Sequence, residues 1–272
     1  ATPRKEKDSV EILSGYFNDH TTGTPLSMEI RNGNQHSRDY DILKDHMRPG
    51  HADYTGYVKY GGFNDYRGGG HFSGRITAPL TFAGALARQV LEKEGIFIGA
   101  HALAIHGIQD RPFHPLGEEK ALFERLDAMK LPVMDEKAGK AMEEAILSAQ
   151  KEGDSVGGVV ECMALGLPVG LGDPFFDSLE SEMAHMMFSV PAVKAISFGE
   201  GFGFASLYGS EANDSLHYEG GTPIALTNHN GGVLGGISSG SPLLFTLAVK
   251  PTASIGMRQR TIDISKKEEA DL

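Results

Sequence analysis

Glycine sets the strongest constraint on what this chain can fold into. Thirty-five of its 272 residues are glycine, about 13% against a usual ~7%. They do not form a low-complexity tract. They gather in short blocks between apolar segments, chiefly over residues 61–74, 157–172, 199–203 and 231–240. Glycine reaches positive φ without a steric penalty and lets a backbone approach a ligand closely. The chain is therefore built from elements joined by tight turns, by loops that offer main chain for binding, or by both.

Periodicity places the elements. Residues 11–15 read as a strand, and residues 26–30 alternate apolar with polar, as a half-buried strand does. A polar loop follows, from Arg31 to about Asp45. A helix is expected from Thr77 as N-cap, with Pro79 in its first turn, Phe82, Leu86 and Leu91 on one face, and Gly95 as stop. A strand over 96–108, helices over 118–130 and 135–152, a strand over 156–164, a helix over 178–188 and a strand over 192–198 follow. From Gly199 onward the pattern gives strands joined by Gly, Asn and Ser turns, with little helical signal. Helices alternate with strands only in the middle, which favours an α+β layered fold with antiparallel sheets. No Pro/Ser linker divides the chain, so a single domain is expected over 1–272.

Charge and cysteine content remove several classes. Lys and Arg number 25 against 36 Asp and Glu, a net charge of −11, which argues against nucleic-acid binding. No run of 18 apolar residues is present, so no membrane span is expected. The single cysteine, Cys162, excludes an intramolecular disulfide and a multi-cysteine metal site, and fits a reducing compartment. No His-x-x-x-His or HExxH spacing occurs, and His101 and His106 are separated by an apolar run, so no metal is expected. The chain opens at Ala1 without a Met or an apolar leader and closes on a polar stretch, and both termini are expected to be cuts in a longer chain.

Against this acidic background one segment is cationic. Arg48, Arg67, Arg75, His51, His71 and Lys59 fall within 28 residues, interleaved with Gly68-Gly69-Gly70 just before the helix at Thr77. Free glycine amides at a helix N-terminus, with Arg75 beside them, would cradle phosphate or carboxylate. A glycine-rich hairpin with solvated arginines fits the pattern equally. No Gly-Lys-Ser/Thr follows, so this is not a P-loop. Gly199-Glu200-Gly201-Phe202-Gly203 follows a strand but no helical pattern comes after it, which argues against a dinucleotide fold. His51 follows Gly50 in the loop that holds Arg48, and a histidine beside a fixed cation is suited to act as an acid near neutral pH. The alternative is a histidine with a structural bond. The third block, residues 227–240, carries paired glycines twice and leads through an apolar strand into Lys250-Pro251-Thr252. It reads either as backbone meeting a flat or anionic ligand or as ordinary hairpin turns.

In this order, the blocks resemble the chorismate synthase family. Arg48-Pro49-Gly50-His51-Ala52-Asp53-Tyr54-Thr55, Lys59-Tyr60-Gly61, Asp65-Tyr66-Arg67-Gly68-Gly69-Gly70, residues 157–162, Gly172-Asp173-Pro174, residues 232–240 and Lys250-Pro251-Thr252 all carry the likeness, over essentially the whole chain. The resemblance implies a β-α-β sandwich, a cytoplasmic homotetramer, and conversion of 5-enolpyruvylshikimate 3-phosphate to chorismate by 1,4-elimination of phosphate with reduced FMN. NADPH is the reductant some members use. It implies His51 as the acid that keeps the reduced flavin correctly protonated, and Arg48 and Arg75 on substrate anions. Flavin contacts would fall on His71, Phe72, Ser73, Pro191, Ala192, Gly235, Lys250, Pro251, Thr252, Ala253 and Ser254.

The chain departs from the family pattern at His71-Phe72, where an arginine and a serine are usual. The removal of a fixed cation there would weaken binding or make it pH-dependent. An N-terminal Gly-Glu-Ser-His block and a C-terminal Arg-His-Asp-Pro block of the family are not found in this sequence, so this stretch by itself is expected to be inactive or severely impaired. The rival expectations are a non-catalytic flavin- or anion-binding scaffold of the same family and, more distantly, a nucleotide-dependent kinase using Gly68–Gly70.

Overall fold

The computed structural model describes residues 8–33 and 42–272, so much of the polar loop expected over 31–45 lies outside the described residues. The chain divides into two compact units, one formed by Ala1–Ala87 with Arg258–Leu272 and the other by Arg88–Met257.

The first unit opens with β1 (Val10–Ser14), β2 (Tyr16–Phe17), β3 (His20–Thr21) and β4 (Ser27–Ile30). β1 pairs antiparallel with β4, Val10 opposite Ile30, and the short β2–β3 hairpin lies between them in the chain. Asn18 and Asp19 turn that hairpin with φ of 47° and 62°. Two successive left-handed residues make the turn whose twist matches the flanking strands, and Asn and Asp are the non-glycine residues that tolerate it best. Helices α1 (Asp53–Lys59) and α2 (Thr77–Lys93) follow. Phe82, Leu86 and Leu91 lie half-buried along α2, and Gly95 turns left-handed after its end at φ 80°. The boundary between the units falls within this helix.

The second unit is built on a five-stranded sheet of order β6-β5-β7-β13-β8, antiparallel throughout. Its elements are β5 (Phe97–Ile105), β6 (Ile108–Gln109), α3 (Lys120–Asp127), α4 (Glu136–Lys151), β7 (Gly158–Leu165), α5 (Leu179–Met187), β8 (Val193–Phe198), α6 (Gly209–Ala212), β9 (Leu216–Glu219), β10 (Thr222–Ala225), β11 (Val233–Leu234), β12 (Ile237–Ser238) and β13 (Leu243–Val249). Helix starts match the capping signals: Asp135 accepts from the Lys137 amide ahead of α4, and Ser178 from the Ser181 amide ahead of α5. Two expectations change. The strand read over 96–108 is a hairpin, because His106 and Gly107 adopt φ of 50° and 80° and turn the apolar run back on itself. The last third is not purely strands: a 3₁₀ turn at Gly201–Ser206 and the single turn α6 interrupt it.

Side chains alternate between the two faces of this sheet. Met163 and Leu244 pack with Phe113, Phe123 and Leu126, the last two from α3. Their chain neighbours Ala164, Leu243 and Phe245 pack on the opposite face with Leu179, Met183 and Met187 of α5. Gly99 in β5 is required by this packing, since a Cβ there would lie 2.2 Å from Phe123 Cδ1. On the α3 side β5 and β7 bury a polar triad. His101 Nδ1 is 3.0 Å from Asp110 Oδ2 and its Nε2 is 2.8 Å from Glu161 Oε2. The carboxylates also take backbone N–H groups, Glu161 from Phe113 and Asp110 from Met134 and Asp135. Next to Glu161, burial and that neighbouring carboxylate push the Cys162 thiol up to about 12, so it stays protonated and unreactive near neutral pH.

The chain returns to the first unit as the antiparallel hairpin β14 (Arg260–Asp263) and β15 (Glu268–Asp271). β14 fixes the approach to the cationic segment. His46 bridges Asp263, the Met47 amide donates to Ile262 O at 3.3 Å, and Thr261 Oγ1 donates to Met47 O. The whole is a mixed α+β fold with antiparallel sheets. No helix among the described residues is long and apolar enough to cross a membrane.

Candidate active site

In the first unit, buried Met47 delivers the chain to Arg48, and Gly50 turns it left-handed at φ 70°. α1 then starts at Asp53 without a side-chain cap from Ala52. The Asp53 carboxylate turns back to the loop instead. Arg48 Nε donates to Asp53 Oδ2 and Arg48 Nη2 to Asp53 Oδ1, both at 2.8 Å, with the Arg48 backbone amide on Oδ2 at 3.0 Å. His51 Nδ1 lies 2.6 Å from Oδ1 of the same carboxylate. Burial opposes ionisation of Asp53, but the bonds from Arg48 and His51 outweigh it and hold the carboxyl well below the usual carboxylate range.

This assigns the imidazole. An ionised carboxylate only accepts, so His51 Nδ1 carries the hydrogen and Nε2 is the nitrogen that can exchange a proton. Arg48 Nη2, 3.1 Å from His51 Nδ1, is also a donor, and its bond goes to Asp53. From sequence, Arg48 alone is expected beside His51. In the structure the pair is a trio, with the arginine charge met by Asp53, whose side chain like that of Arg48 is 12% exposed.

Phe72 joins the same neighbourhood. Gly56 of α1 leaves room for its ring, since a Cβ there would lie 2.6 Å from Phe72 Cε2. Ser73 follows, its Oγ accepting from the Arg75 amide, while Arg75 Nη1 pairs with Asp8. His71 is exposed at the end of the preceding 3₁₀ turn, Arg67–Phe72. That turn corrects one premise. The three glycines do not sit at the start of α2: they lie within the 3₁₀ turn, a second turn at Gly74–Ile76 intervenes, and the Gly69 amide is bonded to Tyr66 O. The cradle of free amides on a helix dipole is therefore not formed there, and with it goes the basis for a kinase loop.

The remaining predicted contacts lie in the second unit. Ala192, after Pro191, takes φ 70°, and its carbonyl accepts the Lys250 amide at 2.9 Å. This bond brings the 191–192 and 250–254 segments together. The latter is also held by Ser155, whose hydroxyl donates to Thr252 O at 2.8 Å, and by the Gly256 amide on Gly153 O at 2.7 Å. Pro251, Thr252 and Ser254 are exposed and Ala253 is half-buried along this clamped loop. Gly235 stands apart from them in sequence, at the exposed tip of the β11–β12 hairpin with φ 63°, and a Cβ there would meet nothing within 4 Å. The hairpin thus turns bare main chain toward open space.

Two acidic residues were missed from sequence. Asp53 stands inside the Arg48–Thr55 motif, but an aspartate among arginines reads as a counter-ion. Asp214 gave no signal. Its carboxylate, 6% exposed, gathers Thr227 Oγ1, the His229 amide, His229 Nδ1, the Asn230 amide and Asn230 Nδ2 at 2.7–3.1 Å. Burial raises its pKa, but the bonds from Asn230, Thr227 and His229 outweigh it and bring it down to about 2. A carboxyl depressed in the folded state stabilises the fold above its unfolded pKa, and that stability is lost as pH falls through the folded value. The stability gap between the wild type and Asp214→Asn, read by urea unfolding, is accordingly expected to be full above about pH 4 and to close as pH falls toward 2. A gap that stays constant through that window contradicts the assignment. Among the described residues no group of three or more His, Cys, Asp and Glu is arranged to hold a metal ion.

Comparison with known proteins agrees along the whole chain. A family model described as chorismate synthase matches residues 1–272. Chorismate synthase of Dehalococcoides mccartyi is 46% identical over 271 residues, a match covering 100% of this chain and 73% of that protein. Chorismate synthase of Thermococcus kodakarensis is 45% identical over 272 residues, covering 100% and 74%. A solved structure titled a crystal structure of chorismate synthase superposes with a TM-score of 0.75 at 28% identity, over 90% of this chain and 72% of that one.

Proposed function

The chain belongs to the chorismate synthase family, a family of lyases of aromatic amino-acid biosynthesis acting on a small-molecule substrate, and from that membership we propose how its residues divide the work. The reaction is the 1,4-elimination of phosphate from 5-enolpyruvylshikimate 3-phosphate to give chorismate, with reduced FMN as cofactor. It breaks one C–O bond to phosphate and one C–H bond, so the site needs fixed cations for a multiply charged anion and a group that controls a proton.

The residues present fit a flavin. Gly235 offers open main chain, and Ala192 and Lys250 bond through their backbones. Each unit carries its own set of proposed flavin contacts: Gly235, Pro191, Ala192 and the loop Lys250 to Ser254 in the second, and His71, Phe72 and Ser73 in the first. When bound, the reduced flavin supplies a transient source and sink of electron density to an elimination with no net redox change. His51, oriented through Nδ1 by Asp53, holds at Nε2 the proton that sets the flavin's protonation state. Arg48 and Arg75 bind substrate anions, with Arg48 also fixing Asp53. His71 stands where the family usually has an arginine, so that position offers no fixed cation.

The observation that carries this reading is the Asp53–His51 bond in a loop held by Arg48. We also propose that the protein works in the cytoplasm as a homotetramer, that both units fold as one domain, and that NADPH is the reductant of the flavin. The reading is tested by anaerobic titration with reduced FMN and substrate. A charged hydrogen bond contributes about 1.5–3 kcal/mol, so Arg75→Ala should weaken substrate addition at least about 10-fold. Ternary-complex formation unchanged in both Arg75→Ala and His51→Ala would overturn the site assignment.

A further inference from the structure

The hairpin tip at Gly235 can meet a flat ligand only if the glycine block before it holds one conformation. Gly231, Gly232, Gly235 and Gly236 all have positive φ, between 63° and 86°. Four such residues in six give a backbone with large conformational freedom when unrestrained. The block is nevertheless tightly seated. A Cβ on Gly199 would lie 1.9 Å from His229 O, one on Gly231 2.4 Å from the Gly199 amide nitrogen, and one on Gly236 2.5 Å from Asp173 O. The Leu244 amide donates to Gly231 O and the Ser239 amide to Gly232 O. What fixes the entry to this block is the stretch 227–230, and its polar groups converge on one side chain outside it.

We propose that Asp214 is a positioning residue for the cofactor hairpin: by gathering Thr227, His229 and Asn230 on one carboxylate it sets the backbone that carries Gly235. Oδ1 takes Thr227 Oγ1, the His229 amide and His229 Nδ1; Oδ2 takes the Asn230 amide and Asn230 Nδ2. Asn228, between them, is anchored the other way, its Nδ2 donating to Pro115 O and Pro242 O at 2.8 Å. Each of the four residues is thus tied by its own polar group, and the next amide, Gly231 N, closes on Asn228 O. Only a carboxylate fits the role. Five donors face two oxygens, and an amide at this position would turn its NH2 against donors on one side. Asp214 acts through the loop and not by touching cofactor or substrate. Its role presupposes that Gly235 meets FMN.

The test measures hydrogen exchange and equilibrium binding of reduced FMN under anaerobic conditions in the wild type, Asp214→Asn and Thr227→Val. In Asp214→Asn, exchange over 227–236 should speed up at least about 10-fold while β5 and β7 keep wild-type protection. One FMN should still bind per chain, with Kd raised at least about 10-fold. Thr227→Val, which removes one of the five donors, should shift both readouts the same way by a smaller factor. A purely structural role would lower the number of sites in proportion to unfolded protein and leave the Kd of the remainder unchanged; that result, or wild-type exchange over 227–236, overturns the proposal. If Asp214→Asn does not fold, Thr227→Val and Asn230→Ala decide it, and wild-type Kd in both overturns it. If the wild type binds FMN and the variants match it, only the role of Asp214 fails. If the wild type binds no FMN, the flavin reading fails and the positioning role falls with it.

Discussion

With this chain joined to the family's Gly-Glu-Ser-His and Arg-His-Asp-Pro blocks, replacing His51 by alanine lowers the rate of chorismate formation by about 10²- to 10⁴-fold, the range by which a positioned proton-transfer group accelerates a reaction. The expectation comes from geometry. His51 Nδ1 is held 2.6 Å from Asp53 Oδ1, and Asp53 is itself held by three bonds from Arg48, so the ring has one tautomer and one direction. Its removal takes away the proton-exchanging nitrogen and leaves the Arg48–Asp53 pair intact. The fold should therefore survive, and reduced FMN should bind within a few-fold of the wild-type affinity. Asp53→Asn is the companion: the residue keeps its size but loses the charge that fixes the histidine proton and meets Arg48. The result should be a substantial rate loss together with lower stability, because a buried guanidinium is left without its counter-charge. Steady-state rates at saturating FMN, with unfolding curves for each variant, check both. A His51→Ala enzyme within 3-fold of wild type would remove the histidine from the mechanism.

The second large effect is on stability and lies away from the chemistry. Glu161→Ala should cost about 3–5 kcal/mol, the usual consequence of removing one partner from a buried charged network. It leaves His101 Nε2 and the Phe113 amide, which Glu161 now accepts at 2.8 and 2.7 Å, with no acceptor in a site closed to water. The contrasting variant is Arg260→Ala. It breaks an ion pair with Glu269 whose side chains are 84% and 80% exposed, and should change stability by about 0–1 kcal/mol. Urea unfolding of the two variants gives the comparison. A Glu161→Ala cost below about 1 kcal/mol would mean that the triad is solvated or that the interior relaxes around it.

Elements with strong local signals are legible in the sequence. The helices at Thr77–Lys93, Glu136–Lys151 and Leu179–Met187 lie close to their expected bounds because Asp135, Ser178 and Gly95 act locally, through caps and a left-handed stop. The hairpin at His106-Gly107 was hidden inside a continuous apolar run, since a strand and a strand that folds back share one hydrophobic pattern. The misplacement of Gly68–Gly70 has a related cause: glycine marks conformational freedom without saying which conformation is taken, and here it is a 3₁₀ turn. The cationic block was legible, and Arg48 and His51 are indeed neighbours. The acidic partners were not. Asp53 was masked by the charges around it. Asp214 binds residues 13–16 positions away, a relation that only tertiary structure creates.

The most direct test is a stoichiometry. 5-Enolpyruvylshikimate 3-phosphate is incubated anaerobically with the same joined protein and a small amount of reduced FMN, and chorismate, inorganic phosphate and the flavin spectrum are followed together. The account predicts one phosphate per chorismate over many turnovers, a flavin still reduced at the end, and no product when FMN is omitted. Product formed at an equal rate without flavin, or one flavin oxidised for each chorismate made, would contradict it.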